Sequence, residues 1–308
     1  MRRCRYERRI PYMKLLITGS NGQLGNELVN IIVCKRAEIG TISPAYRDCE
    51  ITAVDIDDMD ITDLGSVRKV ISSVKPDAVI NCAAMTNVNG CESDYETAMK
   101  VNAIGPRNLA VACEEIGAKL VQVSTDYVFS GDADRPYCEW DIVAPCGIYG
   151  KSKALGEKYA SEHCSRTFIV RTAWLYGYVG KNFVKTIISA ARKNGTVKVV
   201  NDQFGNPTSA NDLAYHILKL ILTEEYGIYH CTGNGVCSWY DLAKRVIERS
   251  GTDAEVLPCT TDEYPTPAKR PAYSALNNLM LSCTVGDEMR DWKDAADNYV
   301  DNLIRSGF

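Results

Sequence analysis

From Met13 onward, short apolar runs alternate with amphipathic stretches. KLLITG (14–19) has the near-continuous apolar character of a buried strand, and Gln23 to about Val33 repeats its apolar residues at helical spacing. ITAVDI (51–56) predicts a second strand, Leu64 to Val74 a helix, and DAVINCA (77–83) a third strand. Tyr95 to Ile116 has helical periodicity and stops at Gly117, a residue suited to the left-handed end of a helix. KLVQVS (119–124) predicts the next strand. Strands that are apolar throughout and alternate with helices imply a parallel sheet covered on both faces. The predicted fold is therefore α/β, a Rossmann-type doubly wound sheet over residues 13–173.

Past residue 173 the alternation loosens. Helical stretches at 181–193, 210–223 and 238–250 mix with the short strands VKVV and GIYHCT and a proline-rich loop at 264–271. Residues 174–308 are expected to form mainly a smaller C-terminal substrate domain, with some elements returning to the sheet. The long link 34–50 reads as a surface loop. Residues 1–12, with five arginines and no apolar core, read as a basic tail or extended start rather than a secretory signal.

Composition narrows the field. A net charge of −4 gives no basic field for nucleic acid or an anionic membrane. No apolar run reaches the roughly 18 residues of a membrane helix. Thirteen cysteines are scattered without a C-x-x-C, and the three histidines lie far apart, so no metal site is expected. Free thiols of this kind fit a cytoplasmic protein.

TGSNGQLG places Gly19, Gly22 and Gly25 between a predicted strand and a predicted helix. Glycines there permit a tight turn, close approach of a pyrophosphate and close packing of helix on strand, with free N–H groups at the helix start. Asp55, at the end of the second strand, is placed to bond an adenosine ribose hydroxyl. Its neighbours Asp57, Asp58 and Asp60 would repel a 2′-phosphate, which favours NADH over NADPH on local charge. Asp60 and Ile61 are candidates for the adenine side. Ala83 and Ala84, small residues ending the third strand, leave room for a dinucleotide.

Tyr149 and Lys153 are four apart in YGKSK and share one helical face. A nearby ammonium stabilises a phenolate, so the pair suits proton exchange with a substrate oxygen. Thr125 ends the fourth strand, where its hydroxyl can face the same crevice. A glycine loop, a strand-end threonine and Tyr-x-x-x-Lys in that order argue jointly for a reductase.

The strings TGSNGQLG, NCAAMTNVNGCE, STDYVFSG, YGKSKALGE, RTAWLYG, NDQFGNPT and YPTPAKRPAYSAL resemble the dTDP-4-dehydrorhamnose reductase family over about Met13 to Leu279. The resemblance implies NADPH- or NADH-dependent reduction of a dTDP-linked 4-keto sugar by a monomer or homodimer. It implies that Gly22, Gln23 and Leu24 wrap the pyrophosphate and that Ala83, Ala84 and Met85 line the dinucleotide. It gives Tyr149 the proton and Lys153 the nicotinamide ribose. Thr125, Asp126 and Trp174 would touch the sugar, and Asn182, Gln203 and Arg270 the nucleotide end. Some members dimerise through Mg2+ held by glutamates. Glu27 matches one such ligand and Glu224 or Glu225 another, but no glutamate follows Glu288. The rival readings are another sugar-nucleotide reductase or epimerase, and a regulatory subunit like that of methionine adenosyltransferase.

Overall fold

The structure is a computed structural model describing residues 13–308; the expected arginine-rich tail lies outside the described residues. Six strands form the central sheet: β1 (Lys14–Thr18), β2 (Glu50–Val54), β3 (Ala78–Asn81), β4 (Lys119–Thr125), β5 (Thr167–Thr172) and β6 (Gly227–His230). Their order is β2-β1-β3-β4-β5-β6, and every neighbouring pair is parallel. The winding reverses between β1 and β3, so a crevice opens beyond their carboxyl ends. The principal helices are α1 (Gln23–Cys34), α2 (Leu64–Val74), α3 (Gly105–Ile116), α4 (Ile148–His163), α5 (Phe183–Asn194), α6 (Ala210–Ile221), α7 (Trp239–Arg249) and α8 (Trp292–Arg305).

Strand periodicity builds the layers. Leu15 and Ile17 point to the face covered by α1 and α6, where they meet Leu28, Ile31, Leu213 and Ile217. Leu16 points the other way and packs with Val67, Ile71 and Leu109 of α2 and α3. Helix ends follow local chemistry. Gly117 closes α3 at φ 71° and Gly195 closes α5 at φ 70°. Ser238 and Asp241 form a reciprocal capping box on α7. A further apolar cluster joins α5, α7 and α8, with Ile188, Val246 and Val300 at its centre. A parallel ribbon of Thr196–Val200 and Glu255–Cys259 completes it.

Three features depart from the sequence reading. The helical stretch 95–116 is broken: Tyr95–Met99 runs into a π-helical turn, Lys100–Ile104, before α3 begins. The wider turn carries Asn102 inward, where it accepts from the Met85 N–H (2.8 Å) and donates to Met85 O (3.0 Å) and Ser152 Oγ (3.1 Å). Segment 34–50 is more than a surface loop. It pairs Arg36–Ala37 with Gly40–Thr41 and buries Tyr46, whose hydroxyl donates to Leu218 O. At the tip of that ribbon, the Glu38 carboxylate accepts from Tyr178 Oη, Arg290 Nη2, Asn298 Nδ2 and Asn302 Nδ2. Finally, α8 and the short helix Leu279–Thr284 are absent from the sequence reading, although α8 buries Trp292, Ala295, Ala296, Tyr299, Val300 and Leu303 at helical spacing behind an Asp291 N-cap.

Beneath α4 lies a buried ion pair. Arg171 on β5 donates to both oxygens of Glu157 on α4 (Nε–Oε1 2.9 Å, Nη2–Oε2 2.8 Å), and the Ser124 hydroxyl donates to Oε1. Arg171 also reaches Glu139 O and His230 Nε2. Burial, with the arginine close by, pushes the His230 pKa down to about 3, so the ring stays neutral and can accept that bond. Glu157→Ala strands the guanidinium and is expected to cost about 3–5 kcal/mol. The joint replacement Glu157→Leu/Arg171→Met should cost distinctly less than Glu157→Ala. Urea unfolding of the three proteins checks this; equal losses would remove the stranded-charge explanation.

Candidate functional site

The crevice beyond β1 and β3 is a cleft of about 850 Å³. One wall is the glycine loop. Gly19 turns at φ +61°, and a Cβ there would lie 2.7 Å from Ala83 N. A Cβ on Gly25 would lie 2.4 Å from Gly19 O, so neither position has room for a side chain. Gly22 is the N-cap of α1, and no side chain caps that helix. Its first N–H groups therefore face the cleft as an anion cradle. Leu24, Ala83 and Ala84 line the same wall.

Asp55, just past β2, accepts from Asn21 N (3.1 Å) and Ile56 N (2.9 Å), which ties the glycine loop to the second strand. Asp60 holds the Thr62 N–H and hydroxyl, both at 2.8 Å. Asn108 fixes the Ile61 and Thr62 carbonyls. Carboxylates, small alanines and free helix N–H groups in this arrangement fit a nicotinamide dinucleotide.

The opposite wall carries the proton chemistry. Burial raises the pKa of Tyr149 above its usual 10, with the Thr125 hydroxyl beside it pulling the other way. The phenol keeps its proton at neutral pH. Lys153 is buried, donates to Val123 O (2.7 Å), and has its pKa lowered by burial to about 8. The expected lowering of the phenol by Lys153 is not what the site shows: burial dominates both groups, and the neighbours acting on Tyr149 are Thr125, Asp126, Tyr127 and Cys91. Thr125 donates its one proton to Asp126 Oδ1 (2.9 Å) and accepts from Tyr127 N (3.2 Å). Asp126 is buried, and burial raises its pKa to about 6.

Trp174 lines the cleft on an unusual backbone, φ 46°. It stacks on Trp239 at 3.6 Å and 6°, and Gly205 allows the close approach, since a Cβ there would meet the indole at 2.6 Å. Asn182 lines the cleft as the N-cap of α5, and its Nδ2 donates to Gln23 Oε1 (3.0 Å). Gln23 Oε1 also accepts from Gly177 N (2.7 Å).

The structure does not bring every candidate to the wall. The Met85 backbone is held by Asn102, and Met85 is not among the lining residues. Gln203 is buried and donates to Thr261 Oγ1 (3.0 Å). Arg270 is beside the Tyr127 side chain, which lines the cleft, and is not itself among the lining residues. Glu27 is buried and accepts from Asn211 Nδ2 (2.8 Å), and Glu224 is paired with Lys119. Among the described residues no group of three or more acidic, histidine or cysteine side chains is placed to hold a metal. Sequence reasoning missed Trp239, which nothing along the chain links to Trp174. It also missed Glu157, although its place four residues after Lys153 was visible.

A dinucleotide cradle facing a Thr–Tyr–Lys wall defines the class: a Rossmann-type protein of the extended short-chain dehydrogenase kind. Residues 13–305 match the family described as RmlD substrate binding domain, and the chain belongs to that family. It is 39% identical to the spore coat polysaccharide biosynthesis protein SpsK of Bacillus subtilis, over 93% of this chain and 96% of that one. The crystal structure of a dTDP-4-dehydrorhamnose reductase from Clostridium acetobutylicum superimposes with a TM-score of 0.89 at 48% identity, covering 95% of this chain and 100% of that one. The Bacillus anthracis dTDP-4-dehydrorhamnose reductase, solved in complex with NADP, gives 0.88 at 40% identity, covering 94% and 99%.

Two measurements test this geometry. Gly25→Ala is expected to weaken NADPH binding at least about tenfold, read by calorimetric titration, because its methyl would collide with the Gly19–Ser20 backbone and deform the loop that forms the cradle. Unchanged affinity would move the cofactor elsewhere. The second concerns Lys153, whose folded pKa of about 8 lies below its usual 10.5. Below pH 8 both states are charged, and the folded state carries the burial penalty. Between about 8 and 10.5 the unfolded chain binds the extra proton, so stability rises with pH by up to about 3 kcal/mol. The stability of wild type minus that of Lys153→Met should increase across that window; a flat difference would refute the buried charge.

Proposed function

We propose that this chain reduces the C4 ketone of dTDP-4-dehydro-L-rhamnose to dTDP-L-rhamnose, using NADPH or NADH. The observation that carries the reading is one cleft holding the dinucleotide cradle, the protonated Tyr149 and the aromatic wall of Trp174. The substrate is a small nucleotide sugar and the setting cytoplasmic.

Gly19, Gly22, Gln23, Leu24 and Gly25 would hold the pyrophosphate. Asp55, Asp60 and Ile61 would hold the adenosine side, with Ala83 and Ala84 along the dinucleotide. The bound cofactor supplies the hydride that adds to C4. Tyr149 gives its proton from Oη to the ketone oxygen as negative charge develops there, a transfer aided by the high proton affinity of the alkoxide. Lys153 keeps two donors free after bonding Val123 O, and these are available to ribose hydroxyls. Its positive charge also favours the tyrosinate left after transfer. Thr125 has its proton on Asp126, and donation to the ketone requires that proton to swing away from Asp126. Trp174, braced by Trp239, supplies a flat apolar face for a sugar ring.

The test follows absorbance at 340 nm with dTDP-4-dehydro-L-rhamnose generated in place and NADH or NADPH in parallel. Wild type should oxidise the cofactor, and Tyr149→Phe should lose about 10²–10⁴-fold in kcat with little change in cofactor affinity. Normal turnover by that variant would remove Tyr149 from the mechanism. Cofactor binding without oxidation in the wild type would remove the substrate.

A further inference from the structure

A cleft that takes a dinucleotide and a nucleotide sugar must receive two diphosphates. Yet its lining contains two lysines, Lys153 and Lys181, and no arginine. Lys153 is buried and donates to Val123 O, and its other donors are given to the ribose hydroxyls in the proposed reaction. Lys181 is exposed, and among the described residues its side chain has no hydrogen bond or ion pair. The carboxylates on the same lining do not answer it either. Asp55 accepts from Asn21 N of the glycine loop and from Ile56 N, Asp60 accepts from Thr62 N, and Asp126 faces Thr125.

The placement of Lys181 is specific. The next residue, Asn182, donates to Gln23 Oε1, and Gln23 is the first residue of α1. A second strut, Gly177 N to Gln23 Oε1, anchors the other end of the segment 177–182 to the same side chain. Lys185 Nζ reaches back to Tyr178 O and Gly180 O, which fixes the carbonyls inside the segment. The strap is therefore clamped across the uncapped start of α1, and the side chain it leaves free is a lysine. Backbone N–H groups supply hydrogen bonds and a partial charge at that helix start but no full positive charge.

We propose that Lys181 is the cation that grips the cofactor's diphosphate, closing the cradle from the side opposite the glycine loop. This rests on the dinucleotide reading of the cleft and names the residue that balances its charge. Lysine serves as a point charge with rotatable donors, so arginine should substitute for it at least in part.

The experiment titrates wild type, Lys181→Met and Lys181→Arg with NADPH, without sugar nucleotide, by calorimetry at low and high salt. A parallel titration uses dTDP alone. Lys181→Met should raise the Kd for NADPH about tenfold at low salt and flatten its salt dependence, with Lys181→Arg close to wild type. The apo melting temperature should not move, because the side chain holds nothing in the fold. Equal NADPH affinity in wild type and Lys181→Met would overturn the proposal, as would a loss confined to dTDP, which would give the lysine to the other diphosphate. Failure of wild type to bind NADPH would instead strike the dinucleotide reading itself.

Discussion

The arrangement depends on one buried ion pair, that of Glu157 and Arg171. Helix α4 carries Tyr149 and Lys153 on one face and Glu157 on the same face a turn later, and the carboxylate is bolted to β5 through two hydrogen bonds. Ser124, the residue before Thr125, donates to that carboxylate as well. A single side chain thus sets the register of the tyrosine helix against the strand end that bears the threonine. Pairs of this kind add little net stability over an apolar substitute, but they permit few alternative packings. Here the benefit lies in position: a sliding α4 would carry the phenol away from the β4 end.

The cleft itself works by desolvation. Burial holds a proton on Tyr149, lowers Lys153 towards neutrality and lifts Asp126, all in the direction that a low-dielectric site dictates. The backbone of Trp174 is part of the same arrangement. A positive φ is costly for a bulky residue, and it persists because Trp239 and Gly205 leave the indole no other place.

What could be read from the sequence was whatever is local. Strand periodicity gave the sheet, Gly117 the end of α3, and the spacings of Gly19, Gly22, Gly25 and of Tyr149 and Lys153 gave two walls of one cleft. Contacts made at a distance left no such mark. Asn182 and Gln203 looked alike as polar candidates, yet one caps a helix on the cleft rim and the other is turned to Thr261. The π-turn at Lys100–Ile104 hides inside an unbroken helical pattern because the partner of Asn102, Met85, lies 17 residues away. Segment 34–50 read as a loop because Tyr46 and Glu38 find their partners in α6, α8 and the strap rather than nearby.

The strand order has a bearing on how the chain is made. When synthesis has reached Thr172, β1 to β5 are all available, but the edge strand β6 and the helix α6 are not. Leu28, Ile31 and Ile32 of α1 meet β1 early, but the part of their cover that comes from α6 is missing until residue 221 has left the ribosome. Glu38, emerging early, waits longer still for Arg290, Asn298 and Asn302. The first half of the protein therefore keeps apolar surface uncovered until its second half is made, the kind of surface that makes a partly folded chain prone to aggregation.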